Sequence, residues 1–285
     1  MPFTPAHPAA VLPLLRHPFS PAALVCGAVA PDMPYFLAGA RIPVSAQSWY
    51  EPFLNATVSH GLPGIALGLP YALALLALYR LVRRPAADLL SARLLPAESA
   101  GSTGSAESAE RGGDGLRRAG WVLLSAVIGI LSHLVWDSFT HSDGYVVTHL
   151  SVLRSHLTGD LTVARALQHI STAGGLVAIA VYLRRRPSRA HAEAPVRAGL
   201  PAAARRSVTA ALAVAALTGA VLNMETLEDY RGGPAAAGPA PVQQIVEGIL
   251  SDTATGGGIA LAFALTLYAC AWWTHRAVRP LSRTT

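Results

Sequence analysis

The sequence predicts an all-α, multi-pass transmembrane helical bundle, with about five spans and an N-terminal segment that is re-entrant or interfacial. Three observations carry that class. Hydrophobic residues make up 52% of the 285-residue chain and charged residues only 13%, with a mean hydropathy of +0.40. Five stretches are apolar over lengths that approach the roughly 20 helical residues needed to cross a hydrocarbon core of about 30 Å. All 22 basic residues are arginine, and most flank those stretches. Flanking arginines set membrane topology, whereas a nucleic-acid surface interleaves them with exposed aromatics, so no nucleic-acid partner is expected.

The spans fall at 62–82, 119–136, 167–183, 207–222 and 257–273. The third and fourth are short and rich in Gly and Ala, as helices packed through small residues are. Arg80, Arg83, Arg84 and Arg93 follow the first span and Arg111, Arg117 and Arg118 precede the second. A further run from Arg184 to Arg206 separates the third from the fourth, and Arg276, Arg279 and Arg283 follow the fifth. In all, 17 of the 22 arginines gather on one side, which the positive-inside rule makes cytoplasmic, together with the C-terminus. Residues 96–115 and 187–201 are polar and without helical or strand period, and read as flexible cytoplasmic linkers within a single membrane domain spanning 1–285.

Residues 1–61 form an N-terminal segment carrying metal-binding motifs. No basic n-region precedes an apolar run, so no signal peptide is expected. Residues 21–40 contain one acid, Asp32, and no base, but Pro31 and Pro34 break a continuous helix there. A re-entrant or interfacial arrangement follows, with the segment on the outer side. Cys26 and Cys270 match no zinc-ribbon or CxxC spacing.

The acids and histidines sort opposite to the arginines. Eight of ten His and ten of sixteen acids fall in segments that this topology puts at or near the outer face. Within them, SHLVWDSFTH carries His133, Asp137 and His141 at four-residue intervals, one turn apart on one helix face. His7 in FTPAHPAAVLP, Asp32 in VAPDMPYF and His60 in TVSHGLPG complete a candidate site. Imidazoles and carboxylates converging from helix ends suit Zn²⁺ or another divalent transition metal, because together they neutralise the ion and leave a position for water. Blander roles exist for each residue: Asp137 pairing with Arg154 or Arg165, His7 as a loop residue, Asp32 as a turn former or N-cap. Their common side of the membrane favours the shared site. Ser132, Ser138, Thr140, Ser142 and Asp143 flank the triplet as acceptors for ligand N–H groups or as substrate contacts. His149, His156 and His169 are weaker candidates, and the acids of LNMETLEDY read as a solvated helix end.

The stretches MPFTPAHPAAVLPLLRHPFSPAALVCGAVAPDMPYF, VSHGLPG and ILSHLVWDSFTHSDGYVVTHL resemble the bacterial membrane-protein family called domain of unknown function 4184, over most of residues 1–183 and more loosely beyond. The motif order, an early His, a PD pair, an SH pair and HxxxDxxTH, is also similar to the YdjM-like predicted membrane-bound metal-dependent hydrolases, and more distantly to the helical zinc-dependent phospholipase C fold. That resemblance implies metal ligands His7, Asp32, His60, His133 and Asp137, with His141 in addition, and a place in the bacterial cytoplasmic (inner) membrane. Ser59 stands where Thr precedes the second His, and no Glu completes a three-zinc site.

The function expected is a membrane-embedded metal-dependent hydrolase with an outward-facing site, acting on a phosphoester or lipid-like ester. Asp137 or Asp143 would be the general base. Two other readings stay open: an ion or proton path, which requires polar residues along the spans, and a structural protein whose polar groups only pair with one another. The sequence carries no signal for an oligomeric state.

Overall fold

The structure, a computed structural model, describes residues 4–38, 48, 50–61, 63–89, 112–159, 161–185, 200–231 and 242–278. Five of its helices are long and apolar enough to cross a membrane, as the hydropathy pattern predicts. The expected linkers 96–115 and 187–201 lie outside the described residues, except at their C-terminal ends. There 112–115 are already helical, contrary to the linker expectation, and 200–201 lead into a helix. Once a helix exists, each added residue closes another hydrogen bond at little cost. Helices therefore run past their apolar cores, the last of them over Val242–Val278, well beyond the expected 257–273.

The chain divides into two compact units. The first comprises 1–34, 44–77 and 96–189. It opens with a 3-10 helix, Thr4–Leu14, in which Pro8 and Pro13 disfavour regular α-helical bonding. Helix α1 (Pro21–Val29) starts with the Ser20 side chain accepting from the Ala23 amide and with Pro21 at the first turn. Pro31 and Pro34 then break the helix as expected: a 3-10 turn, Ala30–Asp32, separates α1 from α2 (Met33–Ala38), of which only Met33 and Pro34 belong to this unit. Two single-turn helices follow, α3 (Glu51–Leu54) and α4 (Ala56–Ser59), the latter capped by Asn55, whose Oδ1 accepts from Thr57 and Val58. Next come the long helices α5 (Gly64–Leu89), of which residues to 77 belong to this unit, and α6 (Gly112–Thr140). Beyond α6, α7 (Tyr145–His149) and α8 (Ser151–Arg154) lead to a hairpin of β1 (His156–Thr158) and β2 (Leu161–Thr162), then to α9 (Val163–Arg185). Gly159, at φ +50°, lies in the hairpin turn, which the period-based reading missed because the strands are too short to show alternation.

Helix α6 is inverted relative to a helix in water. Its buried stripe is Ser125, Ala126, Gly129, Ile130, His133, Asp137 and Thr140, whereas Leu123, Leu124, Leu131, Val135, Trp136 and Phe139 point outward. Apolar side chains facing out and polar ones facing in suit a hydrocarbon surround. The buried stripe packs on α1 at backbone distance. A Cβ on Gly27 would lie 2.2 Å from the Ala126 carbonyl oxygen, and one on Gly129 would lie 2.3 Å from that of Leu24. Ser125 adds a bond, accepting from the Ser20 amide at 2.9 Å. Around the crossing, Ala30, Ala72, Ala126 and Ile130 form one core cluster and Val11, Leu24 and Ala28 another. Gly175 on α9 brings that helix against Ala6, a position where a Cβ would meet the Ala6 carbonyl at 3.0 Å.

The second unit comprises 35–43, 78–95 and 190–285, including α10 (Ala202–Leu222), α11 (Leu227–Tyr230) and α12 (Val242–Val278). Gly219 on α10 and Gly256 on α12 let these helices touch, as a Cβ on either would fall within 2.5 Å of the other helix. The acidic stretch after α10 is the solvated helix end expected, with a Thr226–Asp229 capping box starting α11. Pro85 has no N–H to offer the Leu81 carbonyl four residues earlier. Trp273 Nε1 donates to that carbonyl at 3.0 Å instead, while Trp272 Nε1 donates to Asp88 at 2.7 Å.

The crossing yields a paired test. Gly129→Ala must push α1 and α6 apart and should cost about 1–3 kcal/mol, as overpacking does. Gly120→Ala, on the same helix with nothing within 4 Å of the new Cβ, should be neutral or stabilising by up to about 1 kcal/mol. Thermal unfolding of the detergent-solubilised variants reads the difference, and equal melting temperatures would rule out the tight crossing.

Candidate metal centre

Every donor that the sequence analysis named as a metal ligand lies in the first unit and reaches one cluster. From α6, His133 and Asp137 project from successive turns, Nε2 to Oδ2 3.0 Å, and His141 follows the helix end with Nδ1 3.5 Å from Asp137 Oδ1. The 3-10 turn after α1 supplies Asp32, whose Oδ1 is 3.5 Å from His133 Nε2. His60 ends α4, its Nε2 3.4 Å from Asp32 Oδ1 and 3.3 Å from Asp137 Oδ2. From the N-terminal 3-10 helix comes His7, with Nε2 3.6 Å from Asp137 Oδ1 and its ring stacked on that of His133 at 3.7 Å. Asp137 faces the imidazoles of His7, His60, His133 and His141.

Two imidazoles are oriented by backbone. His133 Nδ1 donates to the Ala28 carbonyl at 2.7 Å, an acceptor in the last turn of α1, where helix carbonyls lack intrahelical partners. His60 Nδ1 donates to the Ala56 carbonyl at 2.9 Å. Ser59 stands beside it, its hydroxyl 2.9 Å from the Pro31 carbonyl, tying α4 to the turn that carries Asp32. With Nδ1 engaged, Nε2 of each ring is the atom that faces the carboxylates, the arrangement usual for ligating histidines. The sequence reading assigns this orienting role, or contact with substrate, to Ser132, Ser138, Thr140, Ser142 and Asp143, of which Ser132, Ser138 and Thr140 lie on α6. Those three bond the Gly129, Val135 and Trp136 carbonyls of their own helix instead, as hydroxyls on helices in apolar surroundings do.

The contacts inside the cluster are close but misdirected for hydrogen bonds. His7 Nε2, His133 Nε2, both nitrogens of His141 and all four carboxylate oxygens of Asp32 and Asp137 are buried without a hydrogen-bond partner. A buried unpaired charge costs several kcal/mol, and native structures leave few polar groups in that state. What the geometry does fit is a shared cation. One atom each from Asp32, His60, His133 and Asp137 lies within 4.8 Å of the others, and the closest of these separations run from 3.0 to 3.5 Å. A tetrahedral ion with bonds of about 2.0–2.1 Å holds its ligand atoms about 3.4 Å apart.

The metal-free electrostatics are uneven. Burial, helped by neighbouring His133, lowers His7 from its ordinary 6.5 to about 4. Burial also opposes charge on His60, but the carboxylates of Asp137 and Asp32 outweigh it and push its pKa up to about 9.

The other sequence candidates stay outside the cluster. Asp143 is exposed in the turn after α6. His149 and His156 are exposed and bond the Tyr145 and Gly159 carbonyls, and His169 is exposed on α9. The sequence reading missed Gly27, Gly129 and the Ala28 and Ala56 carbonyls. Small residues at packing positions hint at the glycines, but nothing in a side-chain pattern marks a carbonyl.

The fold and site define a helical protein of membrane type, with a buried His/Asp cluster able to hold a metal ion. The chain belongs to the family described as domain of unknown function DUF4184, which matches residues 1–270. No curated protein and no solved structure matches it.

The two pKa shifts predict a pH optimum. His7 is lowered from 6.5 to about 4, so its contribution to stability is lost as pH falls from 6.5 through 4. His60 is raised from 6.5 to about 9, so its contribution is complete below 6.5 and lost as pH rises through 9. Chelator-stripped protein should therefore be most heat-stable near pH 6.5 in these two contributions. A metal must displace the His60 proton, so the rise in melting temperature on adding Zn²⁺ should grow from pH 6.5 to 9. A rise that shrinks over that range would contradict the assignment of His60 as a ligand.

Proposed function

We propose that the protein is a membrane-embedded metal-dependent hydrolase with its site on the outer side of a bacterial cytoplasmic membrane and its C-terminus inside, acting on a phosphoester or lipid-like ester. The convergence of buried, unpartnered imidazole and carboxylate atoms at separations suited to a shared cation carries this reading. Asp32, His60, His133 and Asp137 would hold Zn²⁺ or a similar divalent ion. Such an ion supplies Lewis-acid activation of water and charge stabilisation at the reacting oxygen. Zn²⁺ suits the mix of imidazole and carboxylate donors, and similarity in motif order to the YdjM-like predicted hydrolases points the same way.

Access supports turnover rather than a sealed structural ion. The side chains of His60 and His141 are 17% and 20% exposed, against 7% or less for Asp32, His133, Asp137 and His7. Those two rings form the more exposed edge of the cluster, past which water and one end of a substrate would enter. Asp137 would serve as a ligand, so of the two carboxylates considered as general base, Asp143, exposed in the turn after α6, would be the one to take a proton. An ion path is less well supported, because between Trp121 and Leu131 of α6 the polar side chains end at Ser125.

Purified, tag-free protein should contain metal that a His133→Ala, Asp137→Ala double variant lacks. The wild type should also release product from chromogenic phosphoesters or esters in mixed micelles, with chelator abolishing the rate and Asp143→Asn lowering kcat at unchanged metal content. Negligible metal in both proteins would end the hydrolase reading, whereas metal without turnover on any ester would leave only a structural site.

A further inference from the structure

We propose that the cluster is built for two metal ions, the second held by His7 and His141 on Oδ1 of Asp137, whose carboxylate bridges to the first ion through Oδ2. The proposal rests on the metal-site reading above and deepens it.

The two oxygens of Asp137 divide the imidazoles between them. Oδ2 faces His60 Nε2 at 3.3 Å and His133 Nε2 at 3.0 Å, whereas Oδ1 faces His7 Nε2 at 3.6 Å and His141 Nδ1 at 3.5 Å. One ion taken by Asp32, His60, His133 and Oδ2 thus leaves a second group of donors unused. In that group His7 Nε2, both His141 nitrogens and Asp137 Oδ1 are buried with no hydrogen-bond partner, and His7 as a whole is 5% exposed.

The ring stack shows why His7 cannot join the first ion. The rings of His7 and His133 lie 3.7 Å apart at an interplanar angle of 18°. A ligating lone pair lies in the plane of its imidazole, and two planes so nearly parallel do not meet within a bond length of about 2.0–2.1 Å. Each ring must therefore serve its own ion. Ions carried side by side by stacked rings would be spaced much as the rings are, and carboxylate-bridged pairs of metals in hydrolytic sites stand about 3.5–4 Å apart.

Charge then selects the substrate class. One divalent ion balances the two carboxylates of Asp32 and Asp137, with the imidazoles neutral. A second leaves a surplus of two positive charges in a buried site, which an anionic phosphoester offsets and a neutral carboxylic ester does not.

The test uses tag-free, full-length protein in detergent, stripped with chelator, reloaded with Zn²⁺ and dialysed. Wild type should retain two ions per chain, and His7→Phe, which keeps a ring stacked on His133 but removes the donor, should retain one. One ion in wild type overturns this inference and leaves the hydrolase reading intact, whereas none overturns both. Two ions in His7→Phe would place the second elsewhere and also overturn it. Should His7→Phe fail to fold, electron paramagnetic resonance of Mn²⁺-loaded wild type decides: an exchange-coupled spectrum supports the bridge, and only isolated Mn²⁺ signals refute it.

Discussion

Two carboxylates buried side by side, Asp32 and Asp137, with no hydrogen-bond donor correctly aimed at either, are the constraint to which the first unit answers. Anions in an apolar interior require positive charge within a few ångströms. The nearby candidates are imidazoles, and their nitrogens point toward the carboxylates without the angles a shared proton would need. Each nearby element serves to bring one more donor to that point: a proline-broken turn for Asp32, a capped single turn for His60, a 3-10 helix for His7, and the last turns of α6 for His133 and Asp137. Even the backbone takes part, since α1 ends where its Ala28 carbonyl can orient the His133 ring.

Holding the donors in place requires helices closer than side chains normally permit. Gly27 and Gly129 provide that closeness, trading the conformational entropy of two glycines for contact between backbones. The same helix turns its bulky apolar residues outward, so a single stripe of α6 contributes packing, a hydroxyl contact to Ser20 and two of the candidate ligands. Packing and chemistry are therefore not separable along this helix. A substitution at Ile130, one turn from His133, or at Ala126, two turns away, would be felt at that ring.

Much of this was legible in the sequence, for reasons specific to the residues. Apolar length exposed the five helices long enough to cross a membrane, because a hydrocarbon layer sets that length. The donors stood out because His and Asp in apolar surroundings are costly and so seldom incidental. Pro31 and Pro34 marked the break after α1 because proline cannot donate the bonds a helix needs. The ends of the helices were not legible, since α12 continues well outside its apolar stretch on backbone bonds alone. Nor was the orientation of the rings. Hydroxyls beside the HxxxD triplet looked like the acceptors for ligand N–H groups, but carbonyls of α1 and α4 have that role, and only the fold determines which carbonyls come near.

The donors also have an order along the chain. His7 precedes the other donors and His141 completes the set, and all of them lie ahead of α10 and α12. Once α6 and the residue that follows it have been made every side chain of the cluster exists, while α10 and α12 are still to come. Were the cluster to take an ion, it could do so before α10 and α12 are made, relieving the repulsion between its carboxylates, and metal supply would become a condition on biogenesis.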